Sequence, residues 1–271
     1  MSYLVEKYDL NNQIVVIADG TDTRCVQYAE SIIINGGIPI LLGNNQNALN
    51  KSISHIKEKF KKDYYGFKVD ISNKEALLQV IDEIKDRFKR VDVLINNLLV
   101  KPTLKSKDIN FSSPEDYPLE LWNKSLKYNL TGTFLACQQF GKIMLSKNKG
   151  VILNIVGVES LQGINPSKYK HDGISDFIPA IDYSVAKASV INLTRYIATY
   201  WVKNNIRTNC LVQGDLIVEE GRFPSIIANH IPLNRLAKEN EFNGAILFLI
   251  SDASSYMTGS ILVIDGGAST W

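Results

Sequence analysis

Short runs of apolar, β-branched residues alternate with longer amphipathic segments along the whole chain. No other feature constrains the fold as much. NQIVVIA (12–18) reads as a strand and about 22–35 as a helix. GGIPILLG (36–43) reads as a turn and a second strand, and YYGFKVDI (64–71) and VDVLIN (91–96) read as the third and fourth, with helices over 46–61 and 73–90 between them. In the second of these helices Leu77, Val80, Ile81, Ile84 and Phe88 recur at the spacing of one buried helical face. The second half repeats the pattern: a helix over 119–147, a strand at 150–156, a helix over 181–203, a strand at 206–212, a helix over 239–251 and a last strand at 260–267. Strands separated by helices pair in parallel through right-handed crossovers. The strands are apolar at nearly every position, as when both faces of a sheet are covered. There is no linker and no low-complexity stretch. The expectation is one α/β domain over 1–271, a doubly wound parallel sheet flanked by helices.

Several functions are set aside by what the chain lacks. A formal net charge of +2 carries no electrostatic case for a nucleic-acid partner. Cys25, Cys137 and Cys210 lie far apart without CxxC spacing, and His55, His171 and His230 are equally scattered, so no metal site is expected. No segment reaches the run of about 18 apolar residues that a membrane span needs. The N-terminus, MSYLVEKYDLNNQ, lacks the basic start and apolar core of a secretory signal. A cytoplasmic protein with no membrane partner is expected. The basic clusters KEKFKK (57–62) and KDRFKR (85–90) fall late in amphipathic helices, where cations suit the helix dipole, and read as solvated faces.

Sheets of this kind bind ligands at the carboxyl ends of their strands. The first such turn lies in VVIADGTDTRCVQYAE (15–30), between a strand and a helix, where a dinucleotide would rest its phosphates. Such turns carry three glycines, and this one has only Gly20. A second signal is YSVAK: Tyr183 and Lys187, four apart, share one helical face. A phenol has a reference pKa of about 10, and a neighbouring ammonium favours its phenolate.

These residues have company. LINN after the fourth strand, YNLTGTFLACQ with Asn129, the YSVAK helix, IRTNCLVQG after the sixth strand, and IPLNRLAKENEFNGAILFLISDASSYMTGSILVIDGG resemble the short-chain dehydrogenase/reductase family over almost the full length. The resemblance implies a Rossmann-type fold and an NAD or NADP cofactor lying across the strand ends. It implies that Tyr183 passes a proton to or from the substrate oxygen. Lys187 would lower the tyrosine pKa and hold the nicotinamide ribose, and Asn129 would anchor a relay water. Gly20, Thr21, Arg24, Asn44, Asp70, Asn97, Lys187 and Gly214 are the residues expected along the nucleotide. Family members are commonly homotetramers or homodimers, built through the long helices and the last strand.

Three departures qualify this reading. The family turn is Thr-Gly-x-x-x-Gly-x-Gly; here Asp19, Thr23 and Cys25 take the glycine places. Asp19 adds negative charge beside a diphosphate, although Arg24 could offset it by folding over the phosphates. Leu98-Leu99 replaces a small Ala-Gly pair, either filling space or narrowing the nucleotide groove. Gly43-Asn44 replaces the acidic residue that would read an NAD ribose, and Asp70 doubles as a turn residue. The family's substrate-holding serine falls on Gly157, within NIVGVES, with Ser160 three residues on. The segment between Gly157 and Tyr183 is longer than usual by about a dozen residues, an inserted loop at about 158–180. Its Ser167, Tyr169, Lys170, His171 and Asp172 suit a hydroxyl-rich substrate. That loop and the closing DGGASTW resemble members that act in bacterial surface-sugar pathways. Two functions therefore stand: an NAD(P)-dependent oxidoreductase interconverting a carbonyl and a secondary alcohol of a small, sugar-derived molecule, or a catalytically inactive scaffold or partner subunit. A third keeps the chemistry but takes a different nucleotide.

Overall fold

The computed structural model describes residues 3–98, 114–163, 181–214 and 228–270. Seven strands form one parallel sheet: β1 (Ile14–Ala18), β2 (Ile38–Gly43), β3 (Tyr65–Lys68), β4 (Val93–Asn96), β5 (Gly150–Gly157), β6 (Ile206–Gln213) and β7 (Ile261–Ile264). Their order is β3-β2-β1-β4-β5-β6-β7, so the chain reverses direction across the sheet between β1 and β4. The helices are α1 (Tyr3–Lys7), α2 (Thr23–Ile34), α3 (Gln46–Phe60), α4 (Lys74–Phe88), α5 (Leu119–Ser125), α6 (Thr133–Lys147), α7 (Ile181–Trp201) and α8 (Asn243–Ile250).

The apolar strands have a simple cause. Successive side chains of β1 point to opposite faces, and both faces are covered. Val16 and Ala18 pack with α4 (Leu77, Ile81, Ile84) and α6 (Leu135, Phe140). Val15 and Ile17 pack with α2 (Tyr28, Ile32), α3 (Leu49, Ile56) and α8 (Ile246, Leu249). Local chemistry sets the helix ends. Asn45 and Asn73 cap α3 and α4 by accepting from the amides of Ala48 and Ala76, each at 3.0 Å. The basic clusters lie on solvated faces: Lys57 pairs with Asp63 at 2.6 Å, Lys59 with Glu30 at 2.7 Å and Arg90 with Asp92 at 2.7 Å. Arg87 stacks 3.9 Å above the Tyr65 ring.

Several elements differ from expectation: α1 was not foreseen, and the edge strands β3 and β7 are each shorter than expected. The last helix begins at Asn243 rather than 239, because the Glu241 carboxylate binds Arg235 twice at 2.7 Å and accepts from the Lys238 amide at 2.8 Å, which holds 238–241 as a turn. The segment 119–147 is broken in the middle by a π-helical stretch, Leu126–Gly132, between α5 and α6. The SDASSYMTG segment is organised by Arg207 of β6. Its guanidinium donates to the carbonyls of Ser251 (3.0 Å), Met257 (3.1 Å) and Leu249 (3.4 Å) and to the Ser254 hydroxyl (3.0 Å). The Leu249 carbonyl in the last turn of α8 thereby gains a donor that its own helix does not supply, and the Ser251 carbonyl, which accepts from the Ser254 amide at 3.4 Å, gains a second.

Cys25, Cys137 and Cys210 are free and buried. Among the described residues no helix is long and apolar enough to cross a membrane, and no group of three His, Cys, Asp or Glu could hold a metal ion. Most of the inserted loop, with Ser167, Tyr169, Lys170, His171 and Asp172, lies outside the described residues, as does Leu99.

Candidate functional site

Helix α7 carries Tyr183 and Lys187 one turn apart, both buried at the carboxyl ends of β4 and β5. The Lys187 ammonium lies 5.8 Å from the Tyr183 ring centroid and donates to the Leu98 carbonyl at the end of β4. Burial draws the Lys187 pKa down to about 7, with Cys210, Asp19 and Glu159 pulling the other way. Asn129 is fully buried in the π-helical stretch, which packs against α7. Its side-chain amide donates to Ser125 at 3.2 Å, and its backbone carbonyl accepts from the Thr133 hydroxyl at 2.7 Å. A π turn widens the helix and frees a carbonyl, and such turns recur at functional sites.

The first βα turn keeps its glycine-like shape without its glycines. Asp19 adopts a left-handed conformation, φ +62°, the region a glycine occupies most easily. Cys25 is fully buried; its thiol donates to the Asp19 carbonyl at 3.4 Å and accepts from the Asn97 amide at 3.1 Å. Cys25 therefore ties the turn to the end of β4 and is too deep to meet a phosphate. Asp22 caps α2 by accepting from the Arg24 amide at 2.8 Å. The Arg24 guanidinium folds back onto the same carboxylate, with Nε at 3.0 and 3.1 Å. Burial opposes its charge most strongly, but the Asp22 hydrogen bond and the Asp22 charge, with smaller help from Tyr28 and Cys25, together raise its pKa. Arg24 is thus committed to Asp22 rather than poised over the turn.

The other expected nucleotide residues fall as follows. The Gly20 amide donates to the Leu42 carbonyl at 2.6 Å, and a methyl there would meet Leu41 at 3.0 Å, so this glycine serves strand packing. The Thr21 methyl lies 2.5 Å from where a side chain on Gly43 would begin, locking the turn against the end of β2. Asn44 is exposed at that strand end. The Asp70 carboxylate accepts from the Ser72 amide (2.9 Å) and hydroxyl (2.7 Å), its turn role. Gly214 sits so close to Asp265 that a methyl would fall 2.8 Å from its Cα. Asn97 is fully buried, and its side-chain oxygen has no hydrogen-bond partner among the described residues. Leu98 is fully buried in the core on the α4–α6 side, so it fills space and does not narrow the groove.

At the end of β5 the Ser160 hydroxyl donates to the Gly157 carbonyl at 2.6 Å, which closes a tight turn and takes that hydroxyl out of the cleft. A methyl built on Gly157 would fall on the Glu159 carboxylate. Reasoning from sequence missed Glu159. Its signal was an acidic residue two places beyond a strand-end glycine in NIVGVES.

A nicotinamide nucleotide fits one end of this cleft better than the other. Buried Tyr183, Lys187 and Asn129, with the unpartnered Asn97 oxygen nearby, suit its reacting end. The diphosphate turn carries Asp19 and Asp22 and holds its one cation on Asp22.

The family profile described as enoyl-(acyl carrier protein) reductase matches residues 27–269, so the match begins just past the altered turn. The post-translational flagellin modification protein A of Campylobacter coli is 27% identical over 259 residues, 95% of this chain and 98% of that one. The NAD-dependent glycerol dehydrogenase of Listeria innocua is 31% identical over 208 residues, 74% of each chain. The crystal structure of a gluconate 5-dehydrogenase from Burkholderia cenocepacia, in complex with NADP and tartrate, superposes with a TM-score of 0.84 at 19% identity, covering 99% of this chain and all of that one. With this sheet order, this Tyr–Lys helix and a profile match over most of its length, the chain belongs to the short-chain dehydrogenase/reductase family.

Proposed function

We propose that the chain is an NAD(P)-dependent oxidoreductase, one domain with an inserted loop at about 158–180, that interconverts a carbonyl and a secondary alcohol of a small polyhydroxylated molecule. One observation carries the reading: Tyr183 and Lys187 lie buried one turn apart, with the lysine pKa drawn down to about 7. An amine that changes charge near neutral pH can take up or return the proton that a neighbouring phenol exchanges. Tyr183 gives a proton to the substrate oxygen or removes one, Lys187 holds the charge that favours this, and Asn129 shapes the buried end of the relay. Lys187 and Asn97 are the groups that would hold the nicotinamide end of the cofactor. When bound, the cofactor supplies or accepts the hydride. Burial of the pair excludes water from the proton exchange.

The substrate class is supported by relatives named for glycerol and for flagellin modification, which fits a surface-polysaccharide precursor. Three buried free cysteines fit the reducing cytoplasm. Exposed Phe134, Tyr196 and Tyr200, the last two stacked with centroids 6.1 Å apart, offer a face for a homodimer or homotetramer. A second reading, a non-catalytic partner subunit, is favoured by Asp19 and Asp22 at the diphosphate turn. The test is nicotinamide absorbance with NAD and NADP over a panel of polyols, sugar acids, simple alcohols and acyl substrates. Turnover confined to the hydroxyl-rich members is expected; silence across the panel favours the subunit reading.

A further inference from the structure

Gly157 ends β5 without a side chain, at φ −92° and ψ 171°, a conformation open to any residue. The space its side chain would enter is filled by the Glu159 carboxylate. That placement is built in at three points. The Ser160 hydroxyl donates to the Gly157 carbonyl at 2.6 Å and tightens the turn. The Ser184 hydroxyl donates to the Glu159 carbonyl at 2.7 Å, tying the turn to α7 one residue beyond Tyr183. Val158 packs with Val190 and Ile191 and fixes the chain between them. The Ser184 bond sets Glu159 beside the helix that carries Tyr183 and Lys187, and its charge reaches Lys187.

We propose that Glu159 holds the substrate where residue 157 cannot, and that it selects molecules bearing a second hydroxyl beside the reacting carbon. The proposal rests on the oxidoreductase reading above. The chemistry follows from hydrogen-bond capacity. A hydroxyl at position 157 would donate to a substrate carbonyl. An ionised carboxylate only accepts, through two oxygens that together can bridge two neighbouring hydroxyls. Charge strengthens such bonds, whereas a bare ketone offers the carboxylate no donor and a developing oxyanion is repelled. The site therefore favours a vicinal polyol and disfavours a lone carbonyl.

Glu159→Gln and Gly157→Ser test this without relying on one fragile variant. The new serine side chain displaces only the flexible end of Glu159, so the fold is kept. The rates compared are oxidation of glycerol and xylitol against 2-propanol and 2-butanol. In Glu159→Gln the polyol-to-monoalcohol ratio of kcat/KM falls about 10- to 100-fold, chiefly through the polyol KM. In Gly157→Ser it falls in the same direction, and reduction of a simple ketone improves. Equal losses on both classes would assign Glu159 a structural role and overturn the proposal, as would an unchanged ratio. If the wild-type protein turns over none of these alcohols, the oxidoreductase reading fails on its own. Xylitol binding by ligand-observed NMR then decides for Glu159: binding about 10-fold or more weaker in Glu159→Gln supports it, and equal binding or none overturns it.

Discussion

Replacing Asp19 by asparagine should tighten nucleotide binding, because the aspartate holds the turn in shape while charging it against its ligand. The left-handed conformation at Asp19 is one that asparagine also tolerates, so the substitution keeps the backbone. What it removes is the charge. Two like charges at about 4 Å repel by about 1 kcal/mol in water and about 4 at a surface-like dielectric, a factor of roughly 5 to 1000 in affinity. The carboxylate accepts from the Thr21 hydroxyl at 3.4 Å and also from the hydroxyl of buried Tyr128, and the asparagine side-chain oxygen can still accept both. Asp19→Gly removes the same charge and relaxes about 1 kcal/mol of backbone strain, which glycine's greater unfolded-state freedom roughly returns. The asparagine variant should therefore unfold within about 1 kcal/mol of wild type, whereas the glycine variant also leaves the buried Tyr128 hydroxyl without its acceptor and should lose about 1–3 kcal/mol. Calorimetric titration with NAD and NADP at low and high salt reads the effect. Both variants should bind more tightly, with the gap shrinking as salt screens the charge. If only the glycine variant gains, backbone or bulk is the obstacle; if neither gains, Asp19 does not face the diphosphate and the reasoning fails.

Lys187 predicts a pH dependence of stability. Its folded pKa of about 7 lies below the unfolded 10.5, so the cost of burying its charge is complete below pH 7 and fades as pH rises toward 10.5. Stability should climb by somewhat under 1 kcal/mol between pH 7 and 8, and level off above about pH 8, where the three buried cysteines, their pKa values raised by burial, lose protons in the unfolded chain and oppose it. Urea unfolding should show this slope in wild type and not in Lys187→Met. Arg207→Ala strips four hydrogen bonds from the segment that ends α8 and should cost about 2–4 kcal/mol; a loss below about 1 would mean that water caps those carbonyls equally well. Gly36→Ala, at φ +85° with Asn11 Cα 3.0 Å from the new methyl, should lower stability by about 1–2 kcal/mol or more; an unchanged melting temperature would show that the turn can relax.

Much of the fold was legible because the central strands are buried on both faces, so their apolar runs mark them to within a residue or two; the edge strands β3 and β7, only half-buried, are shorter than their apolar runs suggested. The start of α8 was not, because Glu241 reaches back to Arg235 and Lys238 through a contact that no periodicity records. The π-helical stretch was invisible for a related reason: LKYNLTG reads like any helical heptad, and the wider turn shows only in the fold. At the site, the Tyr183–Lys187 spacing was legible because both groups sit on one helix. Arg24 was not, since its choice of Asp22 over the turn is made by competing charges within three residues. Leu98 could be read two ways until its neighbours were known. Glu159 escaped notice because an acid after a strand usually faces water; only the missing side chain of Gly157 lets it turn inward.

The central claim is that Tyr183 is a working acid–base group despite the altered turn. The most direct test is polyol oxidation, followed by nicotinamide absorbance at saturating cofactor, in wild type and Tyr183→Phe. The phenylalanine keeps the ring and its packing and removes only the hydroxyl. The account predicts turnover in wild type and a loss of at least about 10²-fold in kcat with the melting temperature little changed. Wild-type turnover that survives the substitution would contradict it, and so would a wild-type protein that binds cofactor and polyol yet transfers no hydride.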